Sequence, residues 1–162
     1  MDEVLDRMLR SEGLACEHAR WRLESTLLPN GVLKDGSDML VRQIMEGLSS
    51  ATPDGALEAW ELLNGAAGGA VEPTAADHEV VLRVRNALMS HAHVPIARLV
   101  DREHRPYDFL ALEVVDAMLD YASPDERQEL LAALDAFGLR GPSERQAVDV
   151  VLAGMGDDHP GR

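Results

Sequence analysis

The sequence predicts an all-α protein, a single domain of about seven to nine short helices in antiparallel hairpins. Three observations predict this fold class. The apolar residues of the long segments recur three and four positions apart, which is the spacing of one helix face. No segment alternates apolar and polar residues over four or more positions, as a half-buried strand would. The chain has 162 residues, the length of one domain, and only 4% aromatic residues, so Leu, Val, Ala and Met must fill the core.

Two helices are predicted in the first half of the chain. In SDMLVRQIMEGLSS, residues 37–50, apolar side chains recur four apart. In TPDGALEAWELLNGAAGG, residues 52–69, Thr52 is a candidate N-cap and Pro53 occupies the first helical position. Glycine weakens a helix, so we expect this one to end near three closely spaced glycines. These are Gly65, Gly68 and Gly69.

Further helices are predicted from residue 75 onwards. Segment 75–90 and segment 106–122 each carry a stripe of apolar residues at helical spacing. Segment 123–138, SPDERQELLAALDAFG, opens with Ser123 as N-cap and Glu126 three residues later, which is a capping box. Gly138 marks its end. A last helix is predicted from Pro142, so the domain covers residues 1–156 and leaves residues 157–162 as a polar tail.

A regular spacing stands out in the last third of the chain. Pro106, Pro124 and Pro142 are 18 residues apart, and the segments that follow Pro124 and Pro142 share a Glu-Arg-Gln sequence. Two such units would form a helical hairpin, close to the ~34–47-residue periods of helical repeat proteins. Residues 106–156 therefore resemble HEAT-like or tetratricopeptide-like repeats, although the Trp, Gly and Tyr pattern of the latter is missing. This resemblance implies a small HEAT-like α-solenoid.

The chain is strongly acidic. Its formal net charge is −14, of which −8 falls on residues 106–162 and −6 on the longer segment 1–105. Such a charge repels nucleic acid and anionic lipid and attracts basic proteins. We therefore expect no nucleic-acid and no membrane partner, and a DNA-binding regulator is the least favoured function.

The sequence also suggests a compartment. Cys16 is the single cysteine, which fits a reducing environment. The first residues, MDEVLDRMLR, lack the features of a signal peptide, and no apolar run approaches the ~20 residues needed to span a bilayer. We expect a cytoplasmic protein.

The segment SHAHVPIARLVDREHRPYDF, residues 90–109, raises the question of a ligand site. Its candidate ligand-binding residues are His91, His93, Arg98, Arg102 and His104. On a helix, side chains two apart diverge, so the first two histidines converge only in a loop, and Pro95 favours a break at Val94. A short helix over residues 95–104 would follow. Because no metal-binding spacing is present, we predict no metal site and no cofactor.

A second candidate surface lies on the helix after Pro106. Glu113, Asp116 and Asp120 are spaced to share one helix face. They form either a solvated face or an acidic stripe that binds a basic partner. Trp21 and Trp60 are expected to anchor the core, and Cys16 to be buried or half-buried. No catalytic residues are predicted, because no nucleophile lies beside a base.

These observations favour a non-catalytic, cytoplasmic module that binds and masks a basic protein. In charge and architecture the chain resembles bacterial immunity proteins or antitoxins, which mask basic nuclease-type toxins. The alternative is a metal- or small-anion-binding enzyme that uses the His91–His104 segment. The sequence leaves the oligomeric state open.

Overall fold

A computed structural model of the protein describes residues 2–71 and 77–138. These residues form eight α-helices, two short 3-10 helices and no strand, which confirms the all-α prediction and the expected number of helices. The α-helices are α1 (Asp2–Arg10), α2 (Leu14–Leu27), α3 (Ser37–Gly47), α4 (Pro53–Val71), α5 (His78–Ser90), α6 (His93–Val100), α7 (Asp108–Leu119) and α8 (Pro124–Gly138). The 3-10 helices are Pro29–Gly31 and Leu48–Ser50.

Helix α4 is the centre of the bundle. It packs against α1, α2, α3, α5 and α7, while α6 and α8 pack on each other and on α7. A solenoid stacks each hairpin only on its neighbours. The described helices therefore form a globular bundle and not the HEAT-like stack that the 18-residue spacing suggested. The unit that begins at Pro142, and the tail 157–162, lie outside the described residues.

The glycines of α4 serve close packing. The helix does not end near Gly65 but continues to Val71. A Cβ atom on Gly69 would lie 2.4 Å from the carbonyl oxygen of Gly31, and one on Gly55 would lie 2.4 Å from the carbonyl oxygen of Leu9. Both distances are too short for any side chain. Two backbones therefore contact α4 where it has no side chain, and packing outweighs the low helix propensity of glycine.

The two predicted N-caps that lie within the described residues, Thr52 and Ser123, are confirmed. The Gly55 N–H donates to Thr52 Oγ1 at 3.0 Å, and the Thr52 hydroxyl donates to the Ser11 carbonyl at 2.6 Å, so this cap also ties α4 to the end of α1. The Ser123 N–H donates to Glu126 Oε2 at 2.9 Å, and the Glu126 N–H donates back to Ser123 Oγ at 3.4 Å. This is the reciprocal pair of a capping box.

The predicted break at Val94 is wrong. Helix α6 begins at His93, so Val94 is helical and Pro95 is the third helical residue. Proline is tolerated in the first turn because the N–H groups there have no intrahelical acceptor. The helix ends at Val100, and the residues up to 104 that were expected to be helical lie in the loop before α7.

The core is aliphatic, as the composition predicts. The apolar stripes of α3, α5 and α7 are buried in one contiguous cluster, together with Trp60 and Cys16. The expectation that Trp21 anchors the core is wrong, because 53% of this residue is exposed on α2. Within the described ranges, no helix is both long enough and apolar enough to cross a membrane.

Candidate functional site

Four carboxylates form an acidic ridge where α4 lies against α7. They are Glu61, Glu113, Asp116 and Asp120. The position of Glu113 is fixed by the Asn64 side chain, whose Nδ2 donates to Glu113 Oε2 at 2.6 Å. Glu61 lies one helical turn before Asn64, so it faces the same side as Glu113. The three residues predicted from the sequence therefore lie together, and the structure adds a fourth from another helix.

The carboxylates of the ridge are close enough to perturb one another. Burial raises the pKa of Glu113; the hydrogen bond from Asn64 opposes this shift, and the charges of Glu61 and Asp116 add to it. The pKa of Asp116 is also raised, first by partial shielding from water and then by the charge of Asp120. In both residues the ionised form is therefore less favourable than in water.

No Lys or Arg in the described part of the chain forms an ion pair with the ridge. Two arginines that bond to the C-terminal ends of α4 and α7 have partners other than the ridge. The guanidinium of Arg85 donates to the Ala70 carbonyl at 2.6 and 2.9 Å and lies over the Tyr121 ring. Arg127 donates to the Leu119 carbonyl at the end of α7 at 2.7 Å. The negative charge of the ridge is thus presented to solvent.

A groove of about 480 Å³ lies between α3, α4, α6 and Tyr107, the residue before α7, and shares no residue with the ridge. Met45, Leu48, Trp60, Val94 and Tyr107 provide its apolar walls. The rings of Trp60 and Tyr107 are stacked, with centroids 6.3 Å apart. Ser49, His93, Arg98 and Asp101 add polar atoms.

Arg98 holds the loop between α6 and α7 in place. Its Nε lies 2.9 Å from Oδ1 of Asp108, a carboxylate with only 3% of its side chain exposed, and its Nη2 lies 3.1 Å from Asp101 Oδ2. The same nitrogen donates to the Glu103 carbonyl. Asp108 Oδ2 also accepts the N–H of Arg105 at 3.0 Å. The guanidinium is therefore committed to the protein itself and is not presented to an external anion.

The other candidate residues of segment 90–109 are dispersed. His91 Nδ1 lies 2.9 Å from the Ala87 carbonyl, and its ring is 6.2 Å from that of His93, which lines the groove. His104 is 70% exposed, with Nδ1 3.5 Å from Asp108 Oδ2. Arg102 is exposed in the loop. The structure thus brings His93 and Arg98 into one groove and leaves the other three outside it.

The chemistry available to these groups is limited. In residues 2–71 and 77–138, no three His, Cys, Asp or Glu side chains are grouped as ligands for a metal ion. Cys16 is fully buried, its thiol donates to the Met8 carbonyl at 3.1 Å, and burial raises its pKa to about 11. Such a thiol is not a nucleophile at neutral pH. The arrangement is suited to binding through charge and apolar contact.

The sequence reasoning missed Glu61 as part of the ridge and Tyr107 as part of the groove. Helix α4 is apolar around most of its circumference, and the pair Glu61 and Asn64, three residues apart, is one of its few signals for a solvent-facing side. No sequence signal pointed to the groove, because its walls come from helices far apart in the chain. The chain matches no protein-family model, and neither a curated protein nor a solved structure matches it.

Proposed function

We propose that the protein is a non-catalytic binding module for a basic protein, and that the acidic ridge is its recognition surface. The observation that carries this proposal is made within residues 2–71 and 77–138: four neighbouring carboxylates form no ion pair with a Lys or Arg of these residues, and two of them, Glu113 and Asp116, have raised pKa values. Crowded like charges are unfavourable to folding. A partner that brings Lys or Arg side chains to the ridge relieves this repulsion when it binds.

The charge around the ridge strengthens the proposal. Residues 106–138 contain eight acidic residues and a single basic one, Arg127. A surface of one sign speeds the encounter with a partner of the opposite sign and repels partners of the same sign. This favours a basic protein over nucleic acid or an anionic membrane as the partner.

The biological form that we propose is masking. An acidic module that covers the basic working surface of a partner inhibits it, as immunity proteins and antitoxins do with nuclease-type toxins in the bacterial cytoplasm. A regulator that shields a basic partner until it is needed acts by the same physics. In both cases the ridge contributes mainly to the rate of association.

The test starts with the partner. Full-length tagged protein is co-purified from its native host, and the protein bound to it is identified and purified. Association rates are then measured at low and high salt for the wild type and for the triple variant Glu113→Gln, Asp116→Asn and Asp120→Asn. A control triple variant changes Glu3, Glu12 and Glu79 to Gln, which alters the net charge equally at exposed positions away from the ridge.

We expect the partner to be basic and its association with the ridge variant to be slower than with the wild type or the control. The difference should be largest at low salt, because salt screens charges beyond ~10 Å at 0.1 M. The salt dependence of the ridge variant should be flatter. An acidic partner, or equal association rates for the ridge and control variants at both salt concentrations, would refute the proposal.

A further inference from the structure

The outer face of α7 carries an exposed aromatic residue in line with the acidic ridge. Phe109 lies four residues before Glu113, and Asp116 and Asp120 continue the same face at intervals of three and four residues. Phe109 is 42% exposed, whereas the other large apolar residues of α7 are buried. From Phe109 to Asp120 this face is about 16 Å long, because a helix rises about 1.5 Å per residue. One straight face therefore presents an apolar end followed by three carboxylates.

Helix α4 runs beside this face in the same direction. The Trp60 ring stacks on the ring of Tyr107, the residue before α7. Four residues further along α4, the Asn64 side chain donates to Glu113, which lies further along α7. The contacts thus advance along both helices together. The side of α4 that holds Asn64 therefore borders the carboxylates of α7.

The part of α4 next to the ridge has almost no exposed side chains. From residue 61 to the end of the helix, its exposed residues are Glu61, Gly65 and Gly68, which are spaced to share one side. No neighbouring group lies within 4 Å of the point where a Cβ atom of either glycine would be. The backbone of α4 is open there, and glycine allows another chain to approach it closely.

The charge and the aromatic residue of this surface favour one kind of occupant. Within the two described stretches of the chain, no Lys or Arg forms an ion pair with the ridge. Aromatic side chains such as that of Phe109 are enriched in protein interfaces. An amphipathic helix that binds in a groove is recognised by side chains three and four residues apart. This is also the spacing of the carboxylates on α7.

We infer that the partner contributes an amphipathic helix that lies along the outer face of α7 and over Gly65 and Gly68. Lys or Arg side chains at intervals of three and four residues pair with the three carboxylates of α7. An apolar side chain at one end of the partner helix covers Phe109. The inference rests on the proposed function, because it needs a basic partner, and it adds the form in which this partner presents its charges.

The probe is a synthetic helical peptide of about 16 residues, long enough to be helical in water. One of its faces carries a Leu and three Lys at helical spacing, and the rest is Ala and Gln. A second peptide has the same composition, but its Lys residues are distributed around the helix. Circular dichroism checks that both peptides are equally helical. Fluorescence anisotropy with the full-length protein at low salt should show the first peptide binding at least about tenfold more tightly.

A substitution at Phe109 tests the apolar end of the face. Phe109→Ser should weaken binding of the first peptide at least about fivefold, because the contact with its Leu is lost. Met39→Ser is the control, since Met39 is 52% exposed on α3, a helix that packs on α4 and α5. It should leave the binding unchanged.

A substitution at Gly68 tests the close approach to α4. Gly68→Gln places a neutral side chain on the open backbone and should weaken binding at least about fivefold, because the peptide can no longer approach closely. The variant should be at least as stable as the wild type in thermal unfolding, since glutamine favours a helix more than glycine does. Weaker binding would then not come from a loss of fold. Ala15→Gln, at an exposed position of α2, is the control and should bind like the wild type.

Four results would overturn the inference. They are no measurable binding of the first peptide, equal binding of the two peptides, unchanged binding to Phe109→Ser, and unchanged binding to Gly68→Gln. A dimer of the wild type that Gly68→Gln dissociates would assign this surface to a second copy of the chain and also overturn it.

Failure of this inference and failure of the proposed function are distinguishable. A native basic partner that associates slowly with the ridge triple variant, but normally with Phe109→Ser and Gly68→Gln, would leave the proposed function standing and remove the bound helix. Equal association of the native partner with the ridge and control triple variants would refute the proposed function itself, whatever the peptides do.

Discussion

Asp108 is the residue on which the loop between α6 and α7 depends most. Its buried carboxylate receives the guanidinium of Arg98, the N–H of Arg105 and the ring of His104. A buried carboxylate is stable only when an opposite charge compensates it, and a buried guanidinium needs a counter-charge in the same way. The residue that the sequence offered as a ligand-binding arginine is thus one half of an internal ion pair.

We predict that Asp108→Asn lowers the free energy of unfolding by about 3 kcal/mol, because it leaves the largely buried Arg98 without its main counter-charge. The amide still accepts the Arg105 N–H, so the loss reports on the ion pair. Asp101→Asn is the control, since its carboxylate is 46% exposed. It should cost less than about 1 kcal/mol. Urea unfolding measures both, and equal losses would contradict this reading of the loop.

A second prediction concerns the raised pKa values of Glu113 and Asp116. Between the ordinary and the raised pKa, the folded protein binds more protons than the unfolded chain, so its free energy of unfolding falls as the pH rises. In the double variant Glu113→Gln and Asp116→Asn, these two carboxylates are absent and no longer lower the free energy of unfolding as the pH rises. At pH 7 it should be more stable than the wild type by a few tenths of a kcal/mol, because both side chains are partly solvated.

The advantage of the double variant should shrink as the pH falls towards 4, where the wild-type carboxylates take up protons. Urea unfolding at pH 7 and pH 4 measures this change. Glu129→Gln on α8 gives the background effect of removing an exposed carboxylate. A double variant that is less stable than the wild type at pH 7 would mean that these carboxylates make favourable contacts in the fold.

At the scale of the helices, the two ends of α4 are held by contacts that no side chain could replace. Gly55 meets the backbone of α1, and Gly69 meets Gly31. Gly65 and Gly68 have open space where a Cβ atom would be. The four glycines are alike in the sequence but play different parts in the fold.

We predict that Gly69→Ala destabilises the protein, because its Cβ would overlap the Gly31 carbonyl oxygen and force the backbones apart. The expected loss is about 1–3 kcal/mol. Gly68→Ala, one residue away, should stabilise by about 0.5–1 kcal/mol, since alanine favours the helix and meets nothing. Thermal unfolding of both variants is the measurement. A stabilised Gly69→Ala would mean that the backbones do not approach this closely.

The helices themselves were readable because local chemistry determines them. Ser123 and Glu126 cap α8 within four residues of chain, and the buried stripe of α7 follows directly from its apolar spacing. Pro95 led to the wrong prediction of a break at Val94, because the sequence did not show that α6 begins only two residues before this proline. Trp21 misled because most of the large side chains of a protein are buried, whereas this one lies on the outer face of α2.

The shared surfaces of the molecule depend on which helices pack together, and the sequence did not show which helices do. The groove joins Met45, Trp60 and Val94 from three helices, and the ridge joins Glu61 to α7. Only the part of the ridge that lies on one helix was predicted. Spacing fixes which side of a helix a residue occupies, but the packing around α4 decides which sides become a common surface.

The net charge of −14 gives a prediction for the entire protein. Self-repulsion opposes the compact state, and salt screens it. Adding NaCl to about 0.3 M should raise the Tm by about 3 °C, the shift that roughly 1 kcal/mol produces in a chain of this length. The ridge triple variant should gain less than the wild type. Differential scanning calorimetry in a NaCl series measures this, and a Tm that falls with added salt would show that favourable ion pairs outweigh the repulsion.

The reaction rate of the buried Cys16 thiol reports how often the folded protein opens. The thiol is fully buried and donates to the backbone of α1, so a disulfide reagent reaches it only when α1 moves away or the whole chain unfolds. With excess reagent, each opening leads to labelling, so the labelling rate equals the rate of opening. Asp108→Asn should accelerate labelling only if Cys16 is exposed by global unfolding. Labelling at an unchanged rate would identify α1 as a part that opens independently of the loop between α6 and α7.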